Sequence, residues 1–154
     1  MEEIRVEFLE SASPELSMPR RATNGSSCFD VFANLPEDAQ ASGVVVPAKE
    51  WRLIGTGLKF SMNIDLEVQV RSRSGMALKS GVAVLNSPGT IDSDYRGEIG
   101  VILINHSATD YVVRHGDAIA QLAFSRSLEC EFVAVERLDE TERGSAGFGS
   151  TDTT

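Results

Sequence analysis

The chain's 154 residues match one domain, since single cores usually serve roughly 100–200 residues, and an apolar content of 42% excludes disorder along the whole length. Fourteen Lys and Arg against 23 Asp and Glu give a net charge of −9, a field that repels polyanions and disfavours stable nucleic-acid binding. Cys28 and Cys130 are too few for a disulfide framework and no run reaches the roughly 18 apolar residues of a membrane helix, so a cytoplasmic protein with no membrane attachment is expected.

Alternation dominates the apolar pattern. Ile4, Val6 and Phe8 share one side of the first predicted strand, with Arg5 and Glu7 on the other. Strands are predicted next at 28–33, 43–46 and 51–60, then where Leu66, Val68 and Val70 alternate with Glu67 and Gln69. Residues 74–79 are the best helix candidate, a serine preceding Met76, Ala77 and Leu78. Further strands are predicted at 82–86, 98–105, 110–114, 118–124 and 128–136, many of them bounded by Gly, Pro, Asn or Asp. About ten short strands indicate an all-β sandwich or barrel. The stretch 98–105 is apolar almost throughout, as in a strand covered on both faces, at the centre of the fold or of an oligomer. From Glu140 to Thr154 the only large apolar residue is Phe148, so 1–139 reads as the β domain and 140–154 as a mobile arm.

Four stretches hold residues that a β core does not need. Arg71 to Gly75 sets two guanidinium groups and two hydroxyls before a possible helix start, either an anion cradle or a charged strand end with a serine cap. Asn86 to Gly97 is long for a simple hairpin: it is a structural turn or a backbone hairpin able to hydrogen-bond a flat heterocycle, with Asp92 a candidate general base. In Arg114 to Leu122, Gly116-Asp117 is a turn signal, His115 a surface turn residue, and Gln121 faces either solvent or a polar site. Arg143 to Thr151 carries three glycines without a Gly-Lys-Ser/Thr ending, so it is no Walker loop.

In this order the stretches resemble the five motifs of the homotrimeric dUTPases (deoxyuridine triphosphate nucleotidohydrolases). The matching segments are Cys28-Phe29-Asp30-Val31-Phe32-Ala33, Arg73-Ser74-Gly75, Asn86 with Gly89 through Gly97, Gly116 through Leu122, and Arg143 through Thr151. The resemblance implies a jelly-roll-like β-sandwich or distorted barrel with one short helix and a flexible C-terminal arm. It implies three identical subunits sharing active sites, and Mg²⁺-dependent hydrolysis of dUTP to dUMP and pyrophosphate. Such an enzyme limits uracil incorporation into DNA and supplies dUMP for dTMP synthesis.

Residue by residue, the resemblance implies that Asp92 activates the water attacking the α-phosphorus. Asn86, Gly89, Thr90 and Ile91 read uracil, Tyr95 lies under the deoxyribose, and Phe148 stacks on the base. Arg73, Ser74, Gly75, Gln121, Arg143, Gly147, Ser150 and Thr151 serve the phosphates, with Arg73 paired to Asp117 or another acid that organises the site. Asp30 reaches Mg²⁺ through water. Departures are Ser27-Cys28 in the first motif, Ser72 where a proline commonly precedes the motif arginine, and Ala146 and Asp152 where glycines are usual. A β-carbon at Ala146 is expected to restrict φ where the arm wraps phosphate. Two rivals are a dCTP deaminase, which needs a catalytic glutamate where Ile102 stands, and a nucleotide-binding module that signals without turnover.

Overall fold

Along Leu66–Arg71 the apolar Leu66, Val68 and Val70 are buried and the residues between them face outward, as a two-residue period requires. In the computed structural model, which describes residues 2–147, the same alternation builds most of the fold. In chain order the elements are β1 (Arg5–Phe8), α1 (Pro14–Ser17), β2 (Phe29–Phe32), α2 (Glu37–Gln40), β3 (Val44–Val46), β4 (Trp51–Gly55), β5 (Leu58–Ser61), β6 (Leu66–Arg71), α3 (Ser74–Ser80), β7 (Val82–Val84), β8 (Gly89–Ile91), β9 (Gly100–Asn105), β10 (Tyr111–Val113) and β11 (Ala118–Arg126). The pairs are antiparallel. One sheet runs β2-β11-β6-β8 and a second β4-β9-β7, with two-stranded sheets β1-β5 and β3-β10 beside them. This is a jelly-roll-like architecture. Val31, Val68 and Leu122 from the first sheet share one core with Ile54, Val101 and Leu103 from the second. Each is at most 1% exposed, and burial of such a side chain stabilises by about 1.5–3 kcal/mol.

Three expectations need correction. The segment 51–60 is two strands, because Gly57 has φ +70°, which L side chains avoid, and a β-carbon there would meet Ala12 at 2.6 Å. Thr56 before it is fully buried and donates its hydroxyl to the Ile99 carbonyl at 2.6 Å. Within the single chain the run 98–105 is covered on one face only, so it is not at the centre of this fold: Val101 and Leu103 are buried, while Ile102 and Ile104 are half-buried beside exposed Trp51 and Leu53. The run 128–136 forms no strand in the single chain and leaves Leu128, Phe132, Val133 and Val135 exposed. Alternation records a preference for a sheet, and among the described residues no strand edge takes the segment up.

Two single-turn helices join the expected one. In α3 the N-cap is Arg73, with no side-chain cap bond, so the serine cap given as one of the two readings of 71–75 is absent. Gly81 ends α3 at φ +65° and donates its N–H to Ala77, the left-handed stop that glycine favours.

Two polar details carry stability. Asn105, fully buried, donates Nδ2 to the carbonyls of Val46 at 3.0 Å and Thr109 at 2.8 Å and accepts the Ser107 N–H at 2.9 Å. Asn105→Leu strands these groups and is expected to cost roughly 2–4 kcal/mol, read from the urea midpoint. On β6, the Glu67 carboxylate accepts from Gln69 at 2.7 Å and from Ser125 at 2.8 Å. Chiefly the Gln69 bond, then the Ser125 bond, holds its pKa below the ordinary 4.5. A lowered folded-state pKa gives stability that is present above the ordinary value and lost as pH falls through the folded value. Glu67→Gln therefore flattens the acid limb of a Tm-against-pH curve by slightly lowering its neutral end, and leaves the most acidic region nearly unmoved.

Candidate active site

Strand register assembles a first polar group from distant residues. Asp30 on β2 stands opposite Gln121 on β11, which in turn stands opposite Arg71 on β6. Gln121 Nε2 donates to Asp30 Oδ1 at 3.0 Å, and Arg73 Nε lies 3.6 Å from the same oxygen. Arg73 Nη1 also donates to the Ala118 carbonyl at 2.8 Å. Gln121 thus faces a polar site. The acid paired with Arg73 is Asp30, while Asp117 organises the turn before β11: its Oδ2 accepts the Arg114 N–H and its carbonyl accepts the Ala33 N–H, each at 2.8 Å. Burial first, then the Asp117 charge, pushes the Tyr111 phenol above its ordinary pKa, with Arg73 opposing. Ser74 and Gly75 are exposed on the first turn of α3. His115 is more than a surface turn residue, since its Nδ1 accepts the N–H of buried Leu35 at 3.1 Å.

A second group lies on the hairpin. β8 pairs with β6 through Gly89↔Val70, Thr90↔Gln69 and Ile91↔Val68, so the backbone after Asn86 is held by a core strand. A β-carbon at Gly89 would come within 3.0 Å of Asn86 Nδ2. Thr90, Ile91, Asp92 and Tyr95 line a cleft of about 200 Å³ with Glu98, Ile99 and Gly100. Tyr95 N–H donates to the Asp92 carbonyl at 3.2 Å and its phenol donates to the Glu98 carbonyl at 3.0 Å. The ring lies over Gly97, where a β-carbon would meet Tyr95 Cζ at 2.6 Å. Glu98 was not singled out from the sequence, although it directly follows Gly97; its Oε1 accepts the Gly57 N–H at 2.8 Å and ties the cleft to the β4–β5 break. Among the described residues, no hydrogen bond or ion pair joins the Asp30 group to the Asp92 group.

The C-terminal stretch is described only in part. Arg143 is exposed, with Nε donating to the Ala146 carbonyl at 2.9 Å, and Gly147 is exposed. Ala146 is not at positive φ, so its β-carbon adds no strain in this conformation. Phe148, Ser150, Thr151 and Asp152 lie outside the described residues.

No three His, Cys, Asp or Glu side chains among the described residues cluster as a metal cage. Asp30 does fit a hydrated Mg²⁺, because a single carboxylate suffices where the ion keeps its waters and takes its other ligands from phosphate. A larger cleft, about 710 Å³, lies elsewhere, lined by Ile4, Val6, Phe29, Phe60, Leu66 and Phe124 among others.

A family model described as dUTPase matches residues 15–152. The chain belongs to the dUTPase family. Proteins named deoxyuridine 5'-triphosphate nucleotidohydrolase are similar to it, one from Helicobacter pylori at 46% identity over 143 residues, covering 93% of this chain and 94% of that one. Another, from Maricaulis maris, is 44% identical over 138 residues, covering 90% and 89%. Among solved structures, a Staphylococcus bacteriophage 80alpha dUTPase with dUpNHpp has a TM-score of 0.82 at 23% identity, covering 98% of this chain and 99% of that one. A dUTPase from phage phi11 of S. aureus, described for its coordination of a structural Mg(II) ion, gives 0.74 at 22% identity, covering 90% and 99%. These two likenesses bear on the dUTPase fold. Against the deaminase rival, Ile102 is an apolar residue opposite Leu53 on β4, and no carboxylate stands there to shuttle protons. No helix among the described residues is long and apolar enough to cross a membrane.

Proposed function

We propose that this dUTPase-family chain hydrolyses dUTP to dUMP and pyrophosphate in the cytoplasm, as a homotrimer with shared sites and with Mg²⁺. The observation that carries the reading is the 43–46% identity, over nine-tenths of the chain, to proteins named for that reaction. The geometry agrees with it. Asp92, exposed beside Tyr95 at the small cleft, orients and deprotonates the water that attacks the α-phosphorus. Asn86 and the backbone of Gly89, Thr90 and Ile91 read the uracil edge; Tyr95 leaves no room for a 2′-hydroxyl. A hairpin held by core strand β6 suits exclusion of thymine, since one methyl in a yielding pocket changes selectivity by only ~1–3 kcal/mol.

Arg73, Ser74, Gly75 and Gln121 hold the phosphate chain, with Ser74 near the bridging oxygen where charge grows as pyrophosphate leaves. Asp30 is the residue that would hold the water shell of Mg²⁺. When bound, the ion offsets phosphate charge. The domain 1–139 carries these groups, and the arm 140–154 closes over a neighbour's site, with Arg143, Gly147, Ser150 and Thr151 on phosphate and Phe148 on uracil.

A trimer is supported by what one chain leaves open. Among the described residues no hydrogen bond or ion pair joins the second group to the first, the outer face of β4-β9-β7 is apolar, and 128–136 is an exposed run with strand alternation. Pyrophosphate release with Mg²⁺, measured in parallel for dUTP, dTTP, UTP and dCTP, tests the reading. Preference for dUTP supports it, and ammonia from dCTP or binding without turnover overturns it. A monomer mass in solution removes the shared-site part.

A further inference from the structure

Ser72 joins the phosphate turn to the root of the nucleobase loop. Its Oγ accepts the Val84 N–H at 2.9 Å. Val84 is 3% exposed, so this amide has little access to water and needs a protein partner. The loop 85–88 is then fastened at each end. Leu85 N–H donates to the Ile102 carbonyl at 2.8 Å, and Gly89 is in register with Val70 on β6. Asn86 lies two residues beyond Val84, and Arg73 directly follows Ser72.

Backbone groups make the other two attachments, which many residue types would permit. The Val84 attachment depends on one hydroxyl. We propose that Ser72 is a positioning residue for base discrimination. Resting on the dUTP reading above, it fixes the near end of the loop so that Asn86 and Gly89 present a wall that does not yield to the thymine methyl.

The test compares wild type, Ser72→Ala and Ser72→Thr in kcat/KM for dUTP and dTTP, well below each Tm, with Val84 amide exchange measured alongside. Ser72→Ala is expected to reduce the dUTP-over-dTTP preference about tenfold, through KM for dUTP more than kcat, and to speed Val84 exchange. Ser72→Thr, which keeps the hydroxyl, restores both. If Ser72→Ala does not fold, Ser72→Cys, similar in size with a weak acceptor, carries the same expectation. A lower Tm with unchanged preference makes Ser72 a structural tie and overturns the proposal, as does failure of Ser72→Thr to restore preference. A wild type that releases no pyrophosphate from dUTP instead defeats the functional reading, while Val84 exchange still reports on the bond.

Discussion

Asp92→Asn is expected to lower kcat for dUTP by about 10³-fold with little change in KM, within the ~10²–10⁴-fold range of a positioned general base. Asparagine keeps the size of the side chain and one acceptor oxygen but cannot take the proton from water. The surrounding turn does not depend on the carboxylate. The Tyr95 N–H is held by the Asp92 carbonyl, the Tyr95 phenol by the Glu98 carbonyl, and the Arg96 guanidinium by the carbonyls of Ser93 and Tyr95. The variant therefore keeps the cleft and separates chemistry from folding. Steady-state kinetics with equilibrium binding of a non-hydrolysable dUTP analogue reads both halves. Retention of more than a tenth of wild-type kcat excludes Asp92 as the base.

Much of the fold was legible because burial on one sheet face imposes a two-residue period, as at Leu66, Val68 and Val70. The break at Gly57 was less so: Trp51 to Phe60 is apolar enough to pass for one strand, and the turn follows from a positive φ and the close approach of Ala12. The run 128–136 shows the converse limit, because period alone does not supply an edge. The candidate site divides in the same way. The hairpin from Gly89 to Gly97 is contiguous, so its cleft residues could be grouped from sequence. Asp30, Arg73 and Gln121 meet only through the register of β2, β11 and β6, and no local pattern announces that Asp30 rather than Asp117 pairs with Arg73.

The arginine excess needs a similar division. Of eleven arginines against three lysines, Arg20 and Arg21 lie over the rings of Phe32 and Phe29 at 4.0 and 4.7 Å. Arg52 pairs with Glu50, and Arg126 bridges Glu2 and Asp65. These are largely exposed pairs and packing contacts, each worth little individually. The negative surface and a triphosphate site are compatible because the site needs few cations, provided each is aimed.

Arg73 is the cation for which aim matters most. Arg73→Ala is expected to reduce kcat/KM for dUTP by about 10²–10³-fold, which at 1.36 kcal/mol per decade is roughly 2.7–4 kcal/mol of transition-state stabilisation. Two losses combine. The phosphate chain loses a charged donor, and the Asp30 carboxylate, now answered only by Gln121 among the contacts described, loses the guanidinium that fixes it. Arg73→Lys should recover only part, because one ammonium cannot reproduce the planar fork that spans Asp30 and the Ala118 carbonyl. Coupling distinguishes this account from a simple loss of phosphate contact. If the loosened Asp30 contributes, adding Asp30→Asn to Arg73→Ala costs less than Asp30→Asn alone, and the double variant falls short of the sum of the singles. Strict additivity, with Tm unchanged across the set, would show that Arg73 and Asp30 act independently.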